Sequence, residues 1–431
     1  MERIRISQSS RLCVPLLLLL FAAAAPQAKA QIAHVEVIQN ESGFELLRDG
    51  EPYYIKGAGA KDHFDLLKTS GANSIRIWST GRAELLDSAA RHGMTVSMGL
   101  YVRPERTGMD YNDPYAVRGQ IEQLKTEILK YKDHPALLLW GIGNEMDLRY
   151  ANFKVWDTVE ELARFIKEVD PHHPTMTVIA GLDPSKAYMI KTRCPSVDIL
   201  GINAYGSIEN TPANIRKFNW DKPYVFTEWG VNGPFEARRT AWGAKIEPPN
   251  GVKANMRQRR YADRILADSE RCLGSYCFLW GQKQESTATW HGMFTAEGHP
   301  TEAVDVMHQC WTGAWPEERA PSIVDIELNG IGWRKDHVML PGEEGILHVD
   351  VEWAADDSVT LEYRLYRESQ SRAIGGDLQE EPEELAIEIT AIDATTVRFN
   401  APQKGGGYRI FAFARNERNQ YSVANVPFFI H

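Results

Sequence analysis

The sequence predicts a (β/α)8 barrel followed by an all-β sandwich, and three observations carry that expectation. Between Tyr53 and about Trp315, short apolar runs alternate eight times with stretches of helical periodicity. Most of these runs are hydrophobic throughout, as parallel strands covered on both faces should be. Beyond Trp315 the helical patterns stop and only short alternating runs remain. Eight β-then-α units over roughly 265 residues match the count and length of a closed barrel. A doubly wound open sheet is the competitor, but no glycine-rich phosphate turn follows the first strand.

The eight barrel strands are expected at Tyr53–Ala58, Ser74–Trp78, Thr95–Tyr101, Leu137–Gly143, Thr175–Ala180, Asp198–Asn203, Tyr224–Glu228 and Ser275–Trp280. The clearest helix runs from Phe153 to Val169, with Val155, Val159, Leu162, Ala163 and Ile166 on one face. A second runs from Tyr115 to Tyr131. A hairpin, Val35–Val37 with Phe44–Arg48, should close the bottom of the barrel. Pro316 to Pro321 reads as a linker. After it, seven runs from Ile323 to Phe429 suggest an immunoglobulin-like or fibronectin-like sandwich. In Ile346–Trp353, Leu347, Val349, Val351 and Trp353 share one face while His348, Asp350 and Glu352 share the other.

The first thirty residues have a different character. Arg3, Arg5 and Arg11 precede an apolar run from Cys13 to Ala25, and Ala28-Lys29-Ala30 fits the small-x-small cleavage rule. The run is too short to span a bilayer, which needs about 20 residues. The expected organisation is a signal peptide over 1–30, a barrel with its hairpin over 31–315 and a sandwich over 321–431, exported to the periplasm, cell surface or medium. Cys194, Cys272, Cys277 and Cys310 permit two disulfides in three connectivities, or buried thiols. A net charge of −10 excludes nucleic acid as a partner, and no later segment approaches membrane length.

Barrel active sites lie where the strands end at their C-termini. The polar residues there are Arg76 and Trp78 on strand two, Asn144 and Glu145 on strand four and Asn203 and Tyr205 on strand six. Glu228 and Trp229 end strand seven, and Trp280 ends strand eight. A carboxylate at the end of a buried strand is costly and needs a reason. Two of them facing across a barrel mouth suit glycoside hydrolysis, in which one protonates the leaving oxygen and the other attacks the anomeric carbon or activates water. Trp rings offer flat faces to a pyranose, and Trp242 and Trp290 in long loops are further candidates for sugar contact. Trp140 reads as barrel core.

Other charged and polar groups have plainer readings. His172-His173 at a helix end reads as a solvated turn rather than a metal site. Asp110 and Asp113 suit turn chemistry as well as a subsite. Glu236, Arg238 and Arg239 read as a solvated cluster, and Glu285 stays undecided. Nothing calls for a cofactor or a metal.

Four motifs in order resemble those of clan A glycoside hydrolases. They are Ala72–Trp78, Trp140–Glu145, Gly201–Tyr205 and Phe226–Gly230. The likeness runs from Tyr53 to about Trp311 and is nearest the family-two catalytic barrels, with family five and the β-1,3-glucan-active families as neighbours. The resemblance implies Glu145 as general acid/base and Glu228 as nucleophile, with Asn144 on the sugar 2-hydroxyl. It further implies that Arg76 and Tyr205 support Glu228, that Trp280 floors the sugar site, and that the anomeric configuration is retained. The β-sandwiches that precede typical family-two barrels do not precede this one. The expectation is therefore a β-glycosidase acting on a β-linked oligo- or polysaccharide, with β-glucan preferred. The alternatives are a transglycosylase on the same mechanism and a catalytically silent carbohydrate-binding barrel.

Overall fold

The computed structural model describes residues 32–354, 357–371 and 377–431. The expected signal segment lies outside the described residues. A three-stranded antiparallel sheet opens the fold: β1 (Val35–Asn40), β2 (Gly43–Arg48) and β3 (Glu51–Pro52). Val35 N donates to His172 O and Phe44 N to Glu270 O, both in segments that lead into barrel strands. Val35 and Leu46 pack with Ile55, Leu139, Met176 and Val225, so the hairpin plugs the N-terminal end of the barrel interior.

Eight parallel strands close on themselves: β4 (Ile55–Ala60), β5 (Ser74–Ile77), β6 (Thr95–Leu100), β7 (Leu137–Asn144), β8 (Thr175–Ala180), β9 (Ile199–Asn203), β10 (Tyr224–Trp229) and β11 (Cys272–Trp280). Each is followed by a helix: α1 (Phe64–Thr69), α2 (Glu84–Arg91), α3 (Pro114–Tyr131), α4 (Lys154–Val169), α5 (Pro184–Arg193), α6 (Thr211–Lys217), α7 (Asn250–Arg260) and α8 (Glu302–Thr312). The strands are almost wholly buried, which accounts for their uninterrupted apolar character. The helices begin on local chemistry. Asp113 accepts from Tyr115 N and Ala116 N ahead of Pro114, and Asp183 caps α5 in the same way. Asp113 is thus a cap, and Asp110 accepts from Asn112 N within the same turn.

Beyond the barrel lie two five-stranded sheets. One orders β13 (Ile331–Gly332), β12 (Ser322–Leu328), β15 (Glu344–Glu352), β19 (Thr396–Asn400) and β18 (Thr390–Ala391). The other orders β14 (Val338–Met339), β21 (Tyr421–Ile430), β20 (Gly406–Asn416), β16 (Val359–Arg367) and β17 (Glu384–Leu385). β15 alternates strictly, with Leu347, Val349 and Val351 inward against Ile410, Val426 and Phe428. The expected run Leu385–Thr390 forms two short strands rather than one.

The sandwich is fastened to the barrel's outer loops. Ile246 and Val252 enter the sandwich core. Asn425 of β21 donates to Glu247, and Arg409 of β20 donates to Lys245 O. Glu247 also pairs with Lys253 at 2.7 Å, with both side chains essentially fully buried. Trp242 packs at 5.7 Å on Phe429 of the sandwich and so helps dock the loop after β10 there.

The four cysteines are free thiols, and no two are bonded. His173 is buried with its ring against Asp170 at 2.9 Å, which corrects the expectation of a solvated turn. Trp140 is fully buried and donates to the same Asp170, as core. Among the described residues no helix is long and apolar enough to cross a membrane, and no group of three acidic, His or Cys side chains is placed to hold a metal.

Candidate active site

The strand ends of β5, β7, β9 and β10 bring the polar residues together at one mouth. Both glutamates sit just beyond an irregularity in their strand. The register of β7 against β8 shifts between Ile142 and Asn144, and that of β10 against β9 shifts between Phe226 and Glu228. Such bulges re-aim the side chains that follow them. Glu145 then takes a left-handed backbone, φ 50°, one that L-residues rarely adopt. Its amide donates to Val178 O, and its carbonyl accepts from Arg106 at 2.7 Å and from Leu148 N. Those bonds over-determine a conformation that costs about 1 kcal/mol or more.

Glu228 is held by three donors. Arg76 Nη1 and Trp78 Nε1 each reach Oε1 at 2.8 Å, and Tyr205 Oη reaches Oε2 at 2.8 Å. Arg76 also donates to Thr227 O, and its guanidinium lies 5.0 Å from the Trp78 ring. Glycine makes room for that ring. A Cβ on Gly59 would sit 2.6 Å from the Trp78 indole, and one on Gly99 would sit 2.3 Å from its backbone. Burial and the carboxylates of Glu228 and Glu145 push the Tyr205 hydroxyl well above its ordinary range, so it stays a neutral donor.

A relay of amides links the two carboxylates. Arg76 Nη2 donates to Asn144 Oδ1 at 2.6 Å, and Asn203 Nδ2 donates to the same oxygen at 3.2 Å and to Glu145 Oε1 at 2.9 Å. Thr227 Oγ1 fixes the Asn203 amide from the other side. Burial and the charge of Glu228 raise the Glu145 carboxyl to about 7, partly offset by the Asn203 hydrogen bond. A carboxylic acid still protonated near neutrality can donate a proton, while the other group has both oxygens engaged by the donors Arg76, Trp78 and Tyr205. Arg149 is exposed and takes no part.

Of the sequence-predicted residues, Glu145, Glu228, Asn144, Arg76, Tyr205 and Trp78 meet at this mouth. Trp229 and Trp280 do not. Trp229 points into the helix layer, stacked 5.9 Å from Tyr261 and fully buried. Adjacent strand residues face opposite ways, so with Glu228 turned to the mouth Trp229 turns out. Trp280 follows a register slip between Cys277 and itself and packs on Phe294 and on Trp311 of α8. Its expected place is taken by Phe278, edge-on to both Trp78 and Tyr205. Trp290 is buried with Nε1 bonded to Asn232 O. Glu236 is exposed, as expected, yet it also accepts from Gly206 N and Gly233 N and so ties the loop after β10 to the one after β9.

A closed (β/α)8 barrel carrying these four motifs at one mouth resembles the barrel of the clan A glycoside hydrolases. Residues 61–240 match the family model described as "Glycosyl hydrolases family 2, TIM barrel domain". The chain is 28% identical over 201 residues to a β-galactosidase of Bacteroides ovatus, covering 38% of this chain and 23% of that one. It is 24% identical over 225 residues to the β-glucuronidase of Rattus norvegicus, covering 44% of this chain and 32% of that one. Among solved structures it is similar to a family-two β-galacturonidase from Eisenbergiella tayi bound to galacturonate. There the TM-score is 0.50 at 17% identity, over 65% of this chain and 54% of that one. The chain thus spans about a quarter to a third of the length of the curated relatives it matches.

Proposed function

We propose that this chain is a β-glycosidase that works by double displacement on O-glycosidic bonds. The observation that carries the reading is the asymmetry between its two mouth carboxyls. Glu145 is raised to about 7 by burial and by its neighbour. Glu228 is clasped by Arg76, Trp78 and Tyr205. In the first step Glu228 attacks the anomeric carbon while Glu145 gives its proton to the departing oxygen, leaving a glycosyl-enzyme. In the second, Glu145 takes a proton from water, which displaces Glu228 and restores both groups. Asn144 Oδ1 is occupied by Arg76 and Asn203, so its amide nitrogen is the group left to meet the sugar 2-hydroxyl.

Relatives named for galactosides, glucuronides and galacturonides favour a β-hexoside or β-hexuronide over the β-glucan that the sequence suggested. Export remains part of the proposal and rests on the N-terminal apolar run alone. The test is release of aryl and sugar aglycones from a panel of β-glycosides by the chain from residue 31 onward, with Glu228→Gln as the control. Turnover by the parent, lost by more than about 10^4-fold in the variant at unchanged melting temperature, is the expected result. Equal turnover by both would refute the mechanism.

A further inference from the structure

The loop after β11 brings a third carboxylate to the wall of this mouth, one that the double displacement does not use. Glu285 pairs with Lys283 at 2.8 Å, and His291 Nε2 stands 3.8 Å from Glu285 Oε1. The His291 ring packs 5.0 Å from Tyr205, which donates to Glu228, and 5.4 Å from Phe278, which stands edge-on to Trp78 and Tyr205. His291 is 1% exposed, yet neither ring nitrogen has a hydrogen-bond partner. A buried polar ring without a partner is costly unless something outside the fold completes it. Burial alone would push the Glu285 carboxyl up, but His291 and Lys283 outweigh it and hold the group at about 2.

We propose that Glu285 and His291 form a subsite that reads the hydroxyls of a neutral hexose and turns away a hexuronate. An ionised carboxylate accepts two sugar hydroxyls, and an imidazole can donate to or accept from a third. The carboxylate of a uronic acid at the same place would meet Glu285 as a like charge in a poorly solvated wall. The nearby cations are committed elsewhere. Lys283 is paired with Glu285, Arg76 with Glu228 and Asn144, and Lys245 donates to Ser286 with its proton affinity lowered by burial. Lys245 also lies near Arg239, Glu285, Glu368 and Arg409, and Arg409 is itself paired with Glu368. The subsite rests on the glycosidase reading for its location beside Glu228, but its test need not rely on turnover.

Calorimetric titration of the full chain carrying Glu228→Gln, with methyl β-glucoside and methyl β-galactoside against the matching methyl β-hexuronides, measures the discrimination directly. Binding of a neutral glycoside at least about tenfold tighter than its uronide is the expected result. Adding Glu285→Gln should narrow that ratio about fivefold or more. His291→Phe keeps the ring against Tyr205 and Phe278 but removes both nitrogens, and should weaken the neutral sugar about fivefold. Should the Glu285 variant fail to fold, the His291 variant decides. Uronide binding as tight as neutral binding, an unchanged ratio in Glu285→Gln, or no binding of either class overturns the subsite. Retained discrimination with no turnover of any glycoside by the parent chain would instead remove the glycosidase reading and leave the subsite standing.

Discussion

Asn203 Nδ2 lies 2.9 Å from Glu145 Oε1, on a side chain whose own oxygen is pinned by Thr227. Because that hydrogen bond favours the ionised carboxylate, it holds the Glu145 carboxyl at about 7 rather than higher. In Asn203→Ala the group should keep its proton to higher pH. The alkaline limb of the kcat profile, expected near pH 7 in the parent, then moves up. Loss of the amide's grip should lower kcat by about 10–100-fold. An unmoved limb would show that Glu145 is not the titrating acid.

Trp78 gives Glu228 an N–H that carries no charge and cannot titrate. Trp78→Phe keeps an aromatic face toward Phe278 and Arg76 while deleting that donor. Turnover should fall about tenfold or more in kcat with KM little changed, because the lost bond orients Glu228, the proposed nucleophile, rather than the sugar. A matched rise in KM at constant kcat would instead make Trp78 a sugar platform.

Two further acids sit under the sandwich. Burial raises Glu302 from 4.5 to about 7 and Asp305 from 3.8 to about 6. Between the unfolded and folded values the native state holds more protons than the unfolded chain, so stability falls as pH rises from about 4 to about 7. Melting temperature should therefore be higher at pH 5 than at pH 8. Glu302→Gln can still accept from Ser422 and should close part of that gap by raising the value at pH 8. A gap left unchanged in the variant would contradict this account.

Lys253 and Glu247 form a fully buried ion pair that also takes hydrogen bonds from Thr287, Thr289 and Asn425. Lys253→Met strands an uncompensated carboxylate and should cost about 3–5 kcal/mol in guanidinium unfolding. Combining it with Glu247→Gln, which keeps the acceptor and removes the charge, should return more than half of that loss. If the double variant is no more stable than Lys253→Met alone, the charge is not the source of the cost.

The barrel was legible because its strands are apolar on both faces and its polar residues fall at their ends. That placement picks out Glu145, Glu228, Arg76 and Tyr205 without a structure. The direction of Trp280 was not legible, since it depends on a register slip that leaves no mark on hydrophobic periodicity, whereas that of Trp229 follows from alternation with Glu228. Asn203 was visible as a strand end, but its bond to Glu145 joins residues 58 apart and appears only on closure. Glu285 and His291 lie in a long loop whose path no propensity sets, and the amide contacts of the exposed Glu236 join two loops that only the closed barrel brings together. The cysteines obey no spacing rule, and their burial decides their state.

The link between Glu247 and Asn425 spans 178 residues, and Ser286 N is likewise held by Gln379 from 93 residues further on. A ribosome lays these positions down in order, so the barrel strands can pair well before the groups that anchor the outer rim exist. The last contacts of the rim, those of Gln379 and Asn425, therefore come from residues synthesised after every barrel strand. The rim is thus completed by a region that contributes none of the strand-end residues gathered at the mouth.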